Sequence, residues 1–181
     1  MTFRINDITG ALKFGGARPT LFKVDLTSPF TTDLSLAASF MIQATSLPSS
    51  TIAPIEVPYW GRKIKVAGNR TFDDWSVQVM NDEDFKIRHA LEIWHNRVNS
   101  LNENLNTAGD SPANYKVQAT VSQYAKTGRV IRTYRFNGLF PTQIGPIELN
   151  WDSTNQIEVF TVNFAYDLYE VVNPGDTGVV N

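Results

Sequence analysis

Two histidines, two acidic clusters and four tryptophans are the residues with the most chemical potential in this chain. His89 and His95 stand six residues apart on a predicted helix. A metal pair on a helix needs i, i+4 spacing to share a face, and no third ligand stands at a matching interval, so no metal site is expected. Asp73-Asp74 and Asp82-Glu83-Asp84 offer the paired carboxylates that acid–base hydrolysis uses. The second group, however, sits where a helix start attracts anions, and the first flanks a turn that already holds Arg70. There is no Gly-x-Ser-x-Gly elbow, phosphate loop or dinucleotide fingerprint. The absence of cysteine removes disulfides, thiolate zinc sites and a cysteine nucleophile. No catalytic residue, metal or cofactor is assigned. Of the tryptophans, Trp75 and Trp94 fall on apolar stripes and belong to the core. Trp60, beside prolines, and Trp151, between Asn150 and Asp152, are expected outside, where an aromatic suits a sugar platform or a protein contact equally.

The stretch Tyr59–Trp94 organises the elements that must position these residues. Ile64 and Val66 alternate with Lys63 and Lys65, and Ala67-Gly68-Asn69-Arg70 supplies turn residues. Trp75, Val77 and Val79 then alternate with Ser76, Gln78 and Met80. This pattern predicts a hairpin over Arg62–Asp74 and the strand beyond it. Asn81-Asp82-Glu83-Asp84 places a capping side chain and negative charge at a helix start. Ile87, Leu91, Trp94, Val98 and Leu101 follow at helical spacing, which predicts a helix over about 82–99.

Strands are expected over Thr20–Leu26, Leu36–Thr45, Lys116–Tyr124, Val130–Asn137 and Gln156–Leu168, the last the strongest alternation in the chain. Pro48, Pro54 and Pro58 predict an irregular extended connection over Leu47–Pro58. Gly138, Pro141, Gly145 and Pro146 are expected to break the chain into short pieces. The total predicts a mainly β protein, an antiparallel β-sandwich or barrel with one flanking α-helix. One domain suits this length, with an N-terminal arm over about 1–16, a β core over about 17–170 and a tail over 171–181.

Hydrophobic residues make up 42% of the chain and the net charge is −2. That composition supports a packed core and gives no global basic field for gripping nucleic acid. No signal peptide and no membrane-spanning run is expected. Charge is segregated. Arg62, Lys63, Lys65 and Arg70 precede Asp73, Asp74, Asp82, Glu83 and Asp84, and every charged residue from Glu148 onward is acidic. Such blocks either pair within the fold or present complementary strips to a neighbouring copy.

The run Gly61–Asn81 (GRKIKVAGNRTFDDWSVQVMN) closely resembles the tail tube proteins of contractile-tailed, T4-like bacteriophages. Ala17–Val24 (ARPTLFKV), Ala44–Pro48 (ATSLP) and Tyr115–Tyr166, with GLFPT at Gly138–Thr142 and LNWDS at Leu149–Ser153, fit the same family in the same order. The resemblance implies a barrel-like sandwich flanked by a helix and stacked hexameric rings forming a hollow tube. It further implies a contractile sheath outside, a baseplate at one end, and passage of the tape-measure protein and then DNA. Assembly in the host cytoplasm and residence in the virion tail follow. A tube protein of a phage-derived injection or secretion system is the alternative, and a glycan-binding β-sandwich using Trp60 and Trp151 is the alternative from another class.

Assembly needs a surface that meets a different surface on an identical copy. Arg62, Lys63, Asn69, Arg70, Asp73 and Asp74 are the candidate subunit contacts, because they carry more charge than a solvent turn requires. A conduit must not hold its cargo, and clustered lysine and arginine would bind phosphate by counterion release. The candidate lumen positions are therefore uncharged strand residues: Gln78, Gln118, Thr120, Ser122, Thr161 and Asn163.

Overall fold

A computed structural model describes Leu12 and residues 16–172. Most of the expected N-terminal arm, and the tail from residue 173, lie outside the described residues. The elements run β1 (Phe22–Leu26), α1 (Asp33–Met41), β2 (Ile42–Thr45), β3 (Ser50–Tyr59), β4 (Arg62–Phe72), β5 (Trp75–Met80), α2 (Lys86–Val98), β6 (Val117–Tyr124), β7 (Val130–Ile144), β8 (Val159–Ala165) and β9 (Leu168–Val172). Seven strands form one antiparallel path, β1-β6-β7-β8-β5-β2, with β9 added to β7. Among the described residues, strands β3 and β4 pair only with each other.

The path folds into two layers because β7 belongs to both. Its first half pairs with β6 and β9, and Phe140–Ile144 pairs with β8. The bend lies at Gly138, whose φ is +71°, a backbone state that side chains resist. A Cβ there would strike the Asp167 carboxylate. Lys116 Nζ binds both oxygens of that carboxylate at 2.7 and 2.8 Å, and the Asp167 N–H donates to the Asn137 carbonyl at 3.0 Å. The expected break at Gly138 and Pro141 is thus a bend inside one long strand. Pro141 is accommodated at a register shift between Pro141 and Gln143, where a missing N–H disturbs the ladder least.

The strand expected over Gln156–Leu168 is likewise interrupted. Tyr166-Asp167 separates β8 from β9, opposite the β7 bend, so the chain follows β7 from one layer into the other. The strand expected over Leu36–Thr45 is corrected more fully. Its first part is α1, with Leu34 and Ala38 buried one turn apart while Phe40 is exposed. Leucine and alanine favour helix over strand here, and the apparent alternation of Phe40, Ile42 and Ala44 straddles the junction with β2. The core is therefore flanked by two helices. α1 packs on β1 and on α2.

Strict alternation places Val24 and Leu26, Ala119 and Val121, Val77 and Val79, and Phe160, Val162 and Phe164 inside. Trp75 stacks on Phe136 at 4.5 Å between centroids and leans on Phe164. From α2, Ile87, Leu91 and Trp94 close the gap between the layers, and Trp94 meets Phe164. The helix starts later than expected, at Lys86, whose N–H donates to Asp82 Oδ1 at 3.1 Å. The acidic run does satisfy a helix-start donor, from outside the helix. Leu101 lies beyond the helix end and is exposed.

Replacing Gly138 with alanine combines a strained φ with a carboxylate clash. The substitution is expected to lower unfolding free energy by about 1–3 kcal/mol, read as a lower denaturant midpoint at unchanged slope.

Candidate assembly interface

The hairpin is not where the sequence placed it. Strand β4 runs unbroken through Ala67-Gly68-Asn69-Arg70, and its partner is β3, the proline-bearing stretch expected to be irregular. The turn is Trp60-Gly61, with φ of +46° and +73°. Positive φ at both central residues is the turn whose twist matches paired strands. In a two-residue hairpin the flanking pair, Tyr59 and Arg62, exchanges both hydrogen bonds, and every second pair follows it. Pro58 opposite Lys63 and Pro54 opposite Ala67 then fall at the other positions, where an N–H would point away from the partner. That geometry is why the prolines do not break the strand. Gly68 stands beside a register shift, where a Cβ would run into the Ala53 carbonyl.

Cross-strand register sorts the ribbon into two faces. Ile55 pairs with Val66, Val57 with Ile64, and Tyr59 with Arg62, while Glu56 pairs with Lys65 and Pro58 with Lys63. One face is apolar and the other charged, with Lys63 Nζ bonded to Glu56 at 2.7 Å. Among the described residues nothing covers either face. Ile55 is 55% exposed, Ile64 53% and Val66 51%, and Trp60 at the tip is 91% exposed. An apolar sheet face of this kind marks a surface awaiting a partner.

Among the described residues, contacts with the body gather at the root of the ribbon. Phe72 packs against Tyr166 and Tyr169, at 5.8 and 5.7 Å between centroids. Ser49 Oγ donates to Asp73 at 2.7 Å, the Tyr166 hydroxyl donates to the Ser49 carbonyl at 3.3 Å, and Trp75 Nε1 donates to the Ser46 carbonyl at 2.9 Å. Burial, helped by neighbouring Tyr169, Asp73 and Asp74, pushes the Tyr166 phenol up to about 12. Of the candidate contact residues, Arg62 and Lys63 stand at the tip. Asn69 and Arg70 stand in the root half of β4, and Asp73 and Asp74 in the corner before β5. The charged tip expected from Asn69, Arg70, Asp73 and Asp74 is therefore a charged root. Ile55, Val57 and Tyr59 escaped notice although their period-two alternation is plain in IEVPY.

The lumen candidates divide between two surfaces. Gln78 faces Thr161 across the ladder, and Asn163 pairs with Ser76. On that outer face Asn163 Nδ2 donates to Gln143 Oε1 at 3.0 Å. Thr120 and Ser122, with Gln118 on the same strand, lie on the outside of the other layer. There Thr120 stands between Asp25 and Arg135, and Ser122 between Lys23 and Thr133. His89 is exposed and His95 half-buried, and no cluster of metal-ligand side chains occurs among the described residues. Trp151 is fully exposed in the loop before β8. Among the described residues no helix is long and apolar enough to cross a membrane.

A sequence profile described as phage tail tube protein matches residues 11–172. The chain belongs to the phage tail tube protein family. It is 38% identical over 168 residues to tail tube protein gp19 of Enterobacteria phage T4, covering 92% of this chain and 99% of that one. It is 22% identical over 167 residues to a tail tube protein of Serratia phage KSP90, covering 90% and 93%. This is a structural family, not an enzymatic one. The fold is shared with a chain of the anti-feeding prophage baseplate, at a TM-score of 0.63 and 13% identity over 87% of this chain and 96% of that one. It is also shared with a chain of the PVC contractile injection system sheath–tube complex, at a TM-score of 0.58 and 15% identity over 96% and 100%.

Two outcomes follow from the ribbon's isolation. Ile55→Ser and Val66→Ser should change subunit stability by no more than about 0.5 kcal/mol, whereas Phe72→Ala, which empties the root, should cost about 2 kcal/mol or more. Chemical denaturation of the free subunit distinguishes them. The Tyr166 phenol, raised from 10.0 to about 12, contributes stability that is complete below its unfolded value and lost as pH rises through the folded one. Stability should fall between pH 10 and 12, and Tyr166→Phe should flatten that decline.

Proposed function

We propose that this tail tube protein builds its conduit from copies of itself, as hexameric rings stacked into a hollow tube that passes the tape-measure protein and then DNA. A sheath outside and a baseplate at one end complete the tail, which is put together in the host cytoplasm. The observation that carries the reading is the ribbon: a long amphipathic hairpin whose apolar face has no partner among the described residues. Three strands, β1, β2 and β9, also pair on one side only among the described residues. Exposed edges are a liability in a solitary protein, and in a ring they let neighbouring sheets join. The high identity to a phage protein favours DNA as cargo over the protein cargo of an injection system. Arg62 and Lys63 at the tip, and Asn69, Arg70, Asp73 and Asp74 at the root, belong to the contacts between copies.

The requirement that cargo slide selects between the two candidate lumen surfaces. Thr120 and Ser122 share their face with the Lys23–Asp25 and Arg135–Glu170 ion pairs, which would line the path of the phosphates with charged groups, basic ones among them. The β5–β8 face carries no charged strand position: Gln78, Thr161 and Asn163 stand beside Ser76 and Gln143, with the apolar pair Met80 and Val159 at one end. That face is the better wall for a bore.

Negative-stain microscopy of concentrated protein, with and without a preformed tube end as seed, tests the assembly. Hollow tubes with six-fold end views are expected, and a subunit that stays solitary at every concentration overturns the reading. In tubes that form, Gln78→Lys combined with Thr161→Lys should retain a labelled oligonucleotide on sedimentation at low salt and release it at high salt. Thr120→Lys should retain none.

A further inference from the structure

The N-terminal arm leaves the body at one end of β7, and an open groove lies at the other. At the first end Val130 pairs with Tyr124, and Phe22 at the start of β1 pairs with Gln123. The Tyr124 N–H donates to the Leu21 carbonyl at 2.8 Å and Gln123 Nε2 to the Arg18 carbonyl at 3.3 Å. The chain therefore enters β1 beside the β6–β7 turn. At the second end the Gly145 N–H donates to the Thr161 carbonyl at 2.7 Å. From there the loop before β8 walls a groove of about 760 Å³ with Pro146, Leu149, Trp151 and Ile157, and Phe160 lies beneath. Leu149 is 81% exposed, Trp151 100% and Ile157 69%, so nothing among the described residues covers this apolar wall.

The groove asks for a cationic, apolar peptide. Glu148, Asp152 and Glu158 charge it, and residues 145–161 contain no basic side chain. Arg88 on α2 is engaged with Glu92, the Gly145 carbonyl and the Phe160 ring. A hollow of about 420 Å³ shares Ile157 and Glu158 with the groove and is lined by Asn81. There the Asn81 N–H donates to the Glu158 carbonyl at 2.8 Å and Asn81 Nδ2 to Glu158 Oε2 at 2.9 Å. Asn81 Oδ1 is buried and accepts no hydrogen bond among the described residues. A buried acceptor left open calls for a donor, and a single peptide segment brings an N–H at nearly every residue. The ribbon is poorer in free donors, because β3 and β4 already pair their backbones.

We infer that this groove receives the N-terminal arm, residues 1–15, of a second copy of the chain. The arm offers Phe3, Ile5, Ile8 and Phe14 to the apolar wall, and Arg4 and Lys13 to the rim against one carboxylate of its own, Asp7. The other terminal segment does not suit the site, since the only charged side chain of residues 173–181 is Asp176, which the acidic rim repels. Position sends the arm to a neighbour. β7 has 15 residues, a path of roughly 50 Å, and an extended arm reaches about as far. To fill its own groove the arm would run back along the body and use much of its length on the way. A copy set head-to-tail brings its groove to the arm directly, and such a contact repeats without closing on itself. The inference rests on the tube reading and gives the arm a part in it.

Because the chain has no cysteine, single cysteines test the contact. Protein with Phe3→Cys, Ile5→Cys or Ile8→Cys is mixed with protein carrying Trp151→Cys, assembled on a preformed tube end and oxidised with diamide. At least one arm position should give a disulfide-linked heterodimer in tubes and none in the dilute, unassembled mixture, while Val66→Cys on the ribbon should give none with Trp151→Cys. Glu148→Lys with Asp152→Lys should melt like the unmodified subunit yet raise the concentration needed for assembly by roughly tenfold. Adding Arg4→Glu and Lys13→Glu should reverse that rise, because attraction is regained with the signs exchanged. Tubes in which no arm cysteine links to Trp151→Cys, or in which Val66→Cys links instead, overturn the docking and leave the tube reading standing. So does a disulfide within one chain when both cysteines are placed on the same dilute subunit. If the unmodified protein forms no tubes even when seeded, the tube reading falls and this contact with it.

Discussion

A two-stranded ribbon cannot bury an apolar face against itself. Every backbone hydrogen bond between β3 and β4 can be made, every turn residue can be right, and Ile55, Val57, Ile64 and Val66 still face outward. An isolated hairpin is marginally stable in water, so this one needs both a firm root and an eventual cover. Phe72, Tyr166 and Tyr169 provide the root. Nothing among the described residues provides the cover. The rest of the molecule can be understood as a rigid body that presents the ribbon at one end and keeps it from collapsing onto its own core.

That rigidity comes from the strand the layers share. β7 bends at Gly138, and Asp167 locks the bend through Lys116 and the Asn137 carbonyl. Tyr166, next in sequence to Asp167, reaches from this corner to the Ser49 carbonyl at the ribbon's foot and packs on Phe136 in the core. Core, corner and ribbon are thus joined through a few adjacent residues. Loosening any of them should tilt the ribbon before it unfolds the body, since the root has fewer buried partners than the core does.

Most of the body was legible in sequence because burial on one side of a strand leaves a period of two. Val24 and Leu26, Ala119 and Val121, and Phe160 to Phe164 all show it, and the Ile87–Leu91–Trp94 stripe shows the helical period as plainly. Two kinds of element were misread. α1 is short and its apolar residues also fit an alternation, so the junction with β2 hid it. The ribbon was misplaced because prolines and a glycine were given the meaning they have in a central strand. In a two-stranded sheet each strand has a free side, and Pro54 and Pro58 sit where the N–H would face it. The lumen candidates were each sound as uncharged outward positions. Only cross-strand register shows that Thr120 and Ser122 have Lys23 and Arg135 for neighbours.

The same prolines bear on how an exposed ribbon avoids sticking to everything. A free strand edge invites any other strand to pair with it through N–H and carbonyl groups. On β3, Pro54 and Pro58 remove donors from that edge without weakening the pairing to β4. Lys63, Lys65 and Glu56 charge the face opposite the apolar one, which discourages stacking of ribbon on ribbon. What remains available is the apolar face and the tip, surfaces that reward shape and charge complementarity rather than generic strand pairing. If a copy of the chain is what covers this segment, as proposed, it is thereby limited to one mode of contact. The limitation is written in the residues that first made the stretch look irregular.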